Sequence, residues 1–215
     1  MSKITGIKIA KGREKRVKVF LDGEPALGLL AQTALQEKLK VGQEVTENRL
    51  DTLESQDHFQ RCLNAALRLL GYRPRSEKEL SQRLQRHGFD AECIEKALAK
   101  LKERGLVDDT AFARFWKENR ETFSPRSRRL TRLELRRKGL GSDIIEQVTG
   151  EIDDSESAYR AAIKRAPRLA GTDYQEFRRR LGAYLGRRGF SYSVIEKTTE
   201  RVWQEQKNLK LQQIT

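Results

Sequence analysis

Four arginines on one predicted helix give the sequence its strongest sign of chemistry. Between Pro125 and Lys138 the leucines and Thr131 share a broad apolar face. The arginines fall on the opposite side of the helix, at i, i+3 and i, i+4 spacings: Arg128, Arg129, Arg132 and Arg136. Like charges on one ridge repel each other, and a fold tolerates them most readily when something anionic complements them. We therefore predict that this ridge binds phosphate or an acidic protein surface.

Basic residues recur on two further predicted helices, and four of them join the candidate binding set: Lys78, Arg179, Arg180 and Arg187. Lys78, Arg129 and Arg179 each lie ten residues before a glycine that ends a helix. A structural alternative applies to the basic pairs in last helical turns, such as Arg187-Arg188. A cation there offsets the helix dipole without binding any partner.

The other reactive side chains favour structural roles over catalysis. Four carboxylates cluster at a predicted helix start, where negative charge is stabilised, although they could also hold a metal or form an acid/base pair: Glu151, Asp153, Asp154 and Glu156. His58 and His87 have no Cys or carboxylate at a metal-ligand spacing, so we expect no zinc site. The sequence lacks a Gly-rich phosphate loop, a nucleophile elbow and a catalytic carboxylate pair. We predict a protein that is not an enzyme and uses no cofactor.

The helices that carry these residues belong to an internal repeat. Gly88, Gly139 and Gly189 are spaced 51 and 50 residues apart. Each follows a Leu by four residues, precedes Phe or Leu by one, and precedes Ile-Glu by six. The pattern predicts a mainly α fold with three tandem three-helix repeats, at residues 57–106, 107–153 and 154–207. We expect these repeats to form an elongated curved rod, with a frayed tail at residues 208–215.

Residues 1–50 predict a small module of a β-hairpin plus a helix. Apolar residues alternate with polar ones on either side of a basic turn at Lys11–Lys15, as far as Leu21, and Asp22-Gly23 is a hairpin-turn pair. Pro25 places the next run at a sheet edge, and a short helix follows over Ala31–Lys40. A helical pattern then runs from Glu47 to Leu70, with Ser55-Gln56 as a candidate break.

Composition indicates a soluble, cytoplasmic protein with an anionic partner. The 215 residues contain 44 Lys and Arg against 31 Asp and Glu, which gives a formal charge of +13. This excess suggests DNA, RNA or a nucleoprotein, although a charged surface that only aids solubility explains part of it. No run of apolar residues is long enough to cross a membrane, and no signal peptide is apparent. Cys62 and Cys93 lie on apolar helix faces, so we expect reduced thiols.

One segment resembles a known family. Ser76-x-x-Glu79-Leu80 and Gly88-Phe89 precede a run from Arg104 to Asp109, and Phe112-Ala113 follows it. Together these resemble the hallmark segment of the RecX family, bacterial regulators of the RecA recombinase. The residues that carry the motif are Gly105, Leu106, Asp108, Asp109, Phe112 and Ala113. Helix capping alone would also explain the two aspartates. The resemblance runs from about Phe59 to the C-terminus, and the first fifty residues carry little of it.

The resemblance implies a regulatory function in homologous recombination, DNA repair and the SOS response. A RecX-like protein is expected to lie in the helical groove of the RecA filament on single-stranded DNA. There it would bridge neighbouring protomers and inhibit ATP hydrolysis and strand exchange. The three-unit periodicity itself predicts a monomer. The alternative is a helix-turn-helix protein that binds DNA directly at promoters. The arginine ridges favour phosphate or acidic protein over base edges, because they lack the Asn and Gln that read bases.

Overall fold

The N-terminal module is a four-stranded antiparallel sheet with one short helix. The computed structural model describes residues 1–10 and 15–212, with side chains up to residue 208, so most of the basic turn predicted at Lys11–Lys15 lies outside the described residues. The elements of the module are β1 (Ser2–Ala10), β2 (Arg16–Leu21), β3 (Glu24–Leu30), α1 (Ala31–Gln36) and β4 (Glu44–Val45). The sheet order is β3-β2-β1-β4, so the strand that contains Pro25 is at an edge, as predicted. Asp22 and Gly23 have φ of 48° and 97°, which the tight hairpin turn requires.

A long helix, α2 (Glu47–Tyr72), connects this module with the first repeat without interruption. The candidate break at Ser55-Gln56 does not occur. The next residue, Asp57, is buried, and its Oδ1 accepts hydrogen bonds from the Leu30 backbone N–H at 2.6 Å and from the Thr33 hydroxyl at 3.2 Å. Leu53 packs in the core of the sheet module, whereas Leu63 packs in the core of the first repeat. One helix therefore belongs to both.

The first repeat combines the C-terminal half of α2 with α3 (Glu77–Arg86) and α4 (Ala91–Glu103). Ser76 caps α3 by accepting from the Glu79 N–H at 3.2 Å, and Asp90 caps α4. Gly88 follows the C-cap of α3 and has a φ of +85°. The Phe89 N–H donates to the Leu84 carbonyl at 3.3 Å. These two features form a Schellman ending. The core of the repeat is built from Leu80, Leu84, Leu101 and their neighbours.

Six helices and a short 3₁₀ turn (Ala166–Leu169) make up the second and third repeats: α5 (Asp109–Phe123), α6 (Arg128–Arg137), α7 (Ser142–Thr149), α8 (Asp154–Arg165), α9 (Tyr174–Gly186) and α10 (Tyr192–Gln212). Gly139 and Gly189 have φ of +91° and +84°, matching Gly88. The leucine four residues before each of the three glycines is fully buried. The glycine and leucine positions that recur in the sequence therefore form the same type of helix C-terminus in each of the three repeats.

The start of α6 and the end of α10 differ from the prediction. Helix α6 begins at Arg128, not at Pro125, because Ser127 is its N-cap and accepts from the Leu130 N–H at 3.1 Å. Helix α10 continues to Gln212, so part of the tail predicted at residues 208–215 is helical. Residues 213–215 lie outside the described residues.

The second and third repeats interlock where α6 begins. The Ser127 N–H donates to the Arg188 carbonyl at 3.0 Å. A Cβ added to Gly189 would lie only 2.6 Å from Ser127 Oγ and 2.9 Å from Leu130 Cβ. Only glycine fits at this approach, because both the space and the positive φ exclude a side chain.

The chain divides into two compact units, Met1–Val107 and a second that begins at Asp108. The first holds the sheet module and the first repeat, and the second holds the other two repeats. Within the described residues, every helix is too short or too polar to cross a membrane.

Candidate functional site

Helix α6 and the residues that lead into it form the most basic stretch of the second unit. From Arg126 to Lys138 the sequence contains seven basic residues and one acidic residue, Glu134. Glu134 accepts hydrogen bonds from Trp116 Nε1 and Arg120 Nε at 2.8 Å each, and it also pairs with Arg126. The one carboxylate of this stretch is therefore used to join α5 to α6.

The four predicted ridge arginines divide into two pairs, which corrects the expectation of one solvent-facing ridge. Arg128 is half-buried, and its guanidinium donates to the Ile152 carbonyl at 2.6 and 3.1 Å. Arg132 donates to Thr149 Oγ1 at 2.9 Å and to Glu146 Oε1 at 2.5 Å. This pair ties α6 to α7 and to the residues after it. Replacing either arginine would therefore disturb the packing as well as the surface charge.

Arg129 and Arg136 are the two ridge arginines whose side chains are available to bind a partner. Both are exposed, and among the described residues neither has a hydrogen bond or an ion pair through its side chain. All four arginines border a groove of about 550 Å³, together with three other residues: Leu133, Ile152 and Asp154. The groove thus offers two free guanidinium groups beside an apolar surface, which suits a phosphate backbone or an acidic protein segment.

The cations of the third repeat are exposed but partly neutralised. Arg179 forms two hydrogen bonds of 2.8 Å with Glu176, and Arg180 pairs with the same carboxylate. These contacts, that of Arg179 first, lower the pKa of Glu176 from 4.5 to about 2. The carboxylate is therefore charged at neutral pH. Arg187 is exposed and, within the described part of the chain, its side chain has no such partner.

The candidate residues are distributed over both units. Lys78 is exposed on α3 in the first unit, whereas the arginines lie on α6, α9 and the turn after α9 in the second. Lys78 has no hydrogen-bonded or ionic partner among the described side chains. Each of the three repeats therefore presents a cation ten residues before its helix-ending glycine.

The residues of the family motif have structural positions. Gly105 has φ of +66°, and the Leu106 N–H donates to the Leu101 carbonyl at 2.9 Å to close α4. Asp108 caps α5 through Oδ1, which accepts from the N–H groups of Thr110 at 2.7 Å and Ala111 at 3.0 Å. Asp109 is the first residue of α5, and Phe112 and Ala113 are fully buried. The motif thus ends one helix and starts the next, with Leu106 exposed.

The acidic cluster at residues 151–156 is also structural, as the capping interpretation predicts. Asp153 caps α8 by accepting from the Ser155 N–H at 2.8 Å. Asp154 Oδ1 accepts from the Arg128 backbone N–H at 2.6 Å and so anchors the start of α6. Glu151 pairs with Lys117, and Glu156 pairs with Arg160.

One cluster was missed by the sequence reasoning. Neither histidine has a Cys or carboxylate at a metal-ligand spacing in the sequence, whereas the fold places His58 Nε2 at 2.8 Å from Asp90 Oδ2. The donor atoms of His58, Asp90 and Cys93 all lie within 4.8 Å of one another. These residues are 32 and 35 positions apart along the chain, so sequence spacing alone did not bring them together. Both cysteines are free and buried, and burial raises the pKa of the Cys62 thiol to about 12.

Comparison with known proteins gives four matches to models of one family. The N-terminal domain of regulatory protein RecX matches residues 2–46. The first, second and third three-helix domains of RecX match residues 62–101, 108–148 and 151–198. Together these matches span both compact units, including the module in which the sequence resemblance was weak.

Individual relatives agree with the family models. Regulatory protein RecX of Clostridium beijerinckii is 29% identical over 208 residues, which cover 94% of this chain and 96% of that protein. Its counterpart in Prosthecochloris aestuarii is 36% identical over 148 residues, covering 69% of this chain and 97% of that protein. A crystal structure of regulatory protein RecX superposes with a TM-score of 0.67 at 25% identity, covering 93% of this chain and all of the other. The crystal structure of RecX from Lactobacillus salivarius superposes with a TM-score of 0.55 at 25% identity. The match covers 67% of this chain and 96% of the other.

Proposed function

This chain belongs to the RecX family of regulatory proteins, and from that membership we propose that it binds filaments of the RecA recombinase on single-stranded DNA. The protein lies along the helical groove of the filament as a monomer. It inhibits ATP hydrolysis and strand exchange, and so restrains recombinational repair. Its role is that of a binding protein and not of an enzyme.

The observation that supports this proposal most directly is the groove beside α6. Arg129 and Arg136 face it without internal partners in the described chain, while the half-buried Leu133 supplies apolar contact surface. An arginine fork can bind either a phosphate or a carboxylate through two parallel hydrogen bonds. A filament of protein on DNA presents both kinds of group.

The repeat supports a partner that is itself repetitive. Lys78, Arg129 and Arg179 occupy equivalent positions in the three repeats, and all three are exposed. A filament presents equivalent sites at regular intervals, so equivalent cations can each meet one. A short promoter site offers no such series, which favours the filament over the helix-turn-helix alternative.

The decisive experiment measures the inhibition of DNA-dependent ATP hydrolysis by RecA. The test variant is Arg129→Glu with Arg136→Glu, because these side chains can change without breaking the contacts between α6 and α7. We expect the concentration for half-inhibition to rise at least about tenfold, which corresponds to about 1.4 kcal/mol of binding free energy. Circular dichroism should be unchanged.

A matched control separates the site from bulk charge. Arg114 on α5 and Lys197 on α10 are exposed and, within the described residues, their side chains have no partners. Changing both to Glu alters the formal charge by the same four units. If this control loses inhibition equally, the α6 groove is not the site; if neither variant loses inhibition, another face meets the filament. If the wild-type protein binds one specific duplex sequence in a gel shift and does not bind RecA filaments, the direct DNA-binding alternative is correct.

A further inference from the structure

A group of potential metal ligands lies in the first unit, apart from the arginine groove. His58 is on α2, Asp90 is the N-cap of α4, and Cys93 is in the first turn of α4. Their imidazole nitrogen, carboxylate oxygen and thiol sulfur lie within 4.8 Å of one another. The recombination function proposed above uses none of these three side chains.

We propose that His58, Asp90 and Cys93 form a binding site for a zinc ion. Zinc accepts nitrogen, oxygen and sulfur ligands together, whereas magnesium and calcium prefer oxygen alone. Three protein ligands leave one tetrahedral position for water. That position can face solvent, because the His58 and Asp90 side chains are 38% and 59% exposed.

The geometry requires only small movements. Tetrahedral zinc with usual bond lengths separates its ligand atoms by about 3.3–3.6 Å. His58 Nε2 and Asp90 Oδ2 are 2.8 Å apart in the hydrogen-bonded state, and no pair in the group exceeds 4.8 Å. Shifts of about 1 Å or less, within reach of side-chain rotation, therefore bring the three donors to coordination distance.

Asp90 can bind a metal without losing its role in the helix. Its Oδ1 accepts from the Cys93 N–H at 2.9 Å and so caps α4. The other oxygen, Oδ2, is the one that faces His58. One carboxylate thus performs two separate tasks, and zinc binding would replace the exposed His58–Asp90 pair while keeping the cap.

The surroundings provide a path for the entry of a cation. The three ligands line an open groove of about 660 Å³. The Cys93 thiol donates to the His58 backbone carbonyl at 3.8 Å, which holds the sulfur beside the group. A zinc ion here would join α2 to the start of α4 and so stabilise the first repeat.

The test uses the full-length protein with reduced thiols and with metal removed by chelation. Cobalt(II), a spectroscopic substitute for zinc, should bind at one site per chain and give thiolate-to-cobalt charge-transfer absorption. Zinc should displace it and raise the melting temperature. If the wild-type protein shows no saturable charge-transfer absorption, the proposal is wrong.

Substitutions identify the ligands. Cys93→Ser, His58→Ala and Asp90→Asn should each weaken zinc binding on the order of 100-fold, the upper end of what even an outer-shell change costs. Asp90→Asn is the most informative of these, because Asn caps a helix about as well as Asp and the fold is retained. The matched control is His87→Ala, which removes the only other histidine and should bind zinc as the wild type does. Wild-type affinity in Asp90→Asn or His58→Ala would overturn the assignment, even if Cys93→Ser failed to fold.

Discussion

The availability of an arginine depends on the carboxylates around it. Arg179, at the position equivalent to Arg129, and its neighbour Arg180 are exposed, but both are bound to Glu176. Fully exposed ion pairs of this kind are weak, so an anionic partner can displace the carboxylate. Until it does, Glu176 lowers the effective charge of α9. Glu176 therefore limits the contribution of the third repeat to binding.

Removing that carboxylate should strengthen binding to single-stranded DNA. In Glu176→Gln both arginines become free, and the logarithmic slope of affinity against salt should steepen by about 1.4, which is about 0.7 for each arginine on single-stranded DNA. The change in net charge is fully expressed at neutral pH, because the pKa of Glu176 is about 2. Fluorescence anisotropy at several salt concentrations measures the effect. Glu118→Gln is the control, since Glu118 is exposed on α5 and has no partner among the described side chains; equal gains in both variants would mean that only net charge matters.

At the same scale, the sequence predicted the charged face of α6. It did not predict which of the four arginines bond to other residues and which remain available. A helical wheel places a side chain relative to its own helix, and it correctly separated the arginines from Leu135. It does not show that Thr149 and Glu146 of α7 come within hydrogen-bond distance of Arg132. The same limitation applies to His58, whose partner Asp90 is brought to it by the packing of α4 against α2. Contacts between helices therefore determine the partners of both Arg132 and His58.

At the scale of elements, local signals predicted most helices and a tertiary contact explains one error. Caps and helix-ending glycines act within a few residues, so Ser76, Asp108 and Gly105 could be interpreted from sequence alone. Pro125 resembled a helix start because Ser124 precedes it. Ser127 begins α6 instead, and its backbone N–H is held by the carbonyl of Arg188, 61 residues away. No local pattern carries that information.

The contact between repeats at Gly189 should be more sensitive to substitution than an ordinary helix ending. Gly189→Ala incurs about 1–2 kcal/mol of left-handed backbone strain and about 1–3 kcal/mol from the clash with Ser127 and Leu130. Gly171 has a similar φ of +88° but open space around it, so Gly171→Ala should incur only the strain. Urea unfolding followed by tryptophan fluorescence reports on this unit, because Trp116 and Trp203 are the only tryptophans. Equal losses of unfolding free energy would mean that the junction adjusts without cost.

At the scale of the whole molecule, the excess of positive charge is the property most clearly predicted from sequence. The formal charge of +13 is shared among many surface residues, and most of the arginines discussed above have internal carboxylate or carbonyl partners. Four candidate cations have no side-chain partner within the described residues: Lys78, Arg129, Arg136 and Arg187. Net charge therefore overstates the number of phosphates that the protein can contact.

Binding to bare single-stranded DNA should accordingly be weak, indifferent to sequence and dependent on salt. If each of these four cations displaces a counterion, the logarithmic slope is about −3, and a fourfold rise in salt lowers affinity about 50-fold. Arg129→Glu with Arg136→Glu removes two contacts and should reduce the slope to about −1.4. Anisotropy with oligonucleotides of unrelated sequence, titrated at three or more salt concentrations, measures both values. If the slope does not change in the double variant, the phosphate contacts lie elsewhere on the protein. A sequence-specific footprint that persists at high salt would favour base recognition over counterion release as the source of affinity.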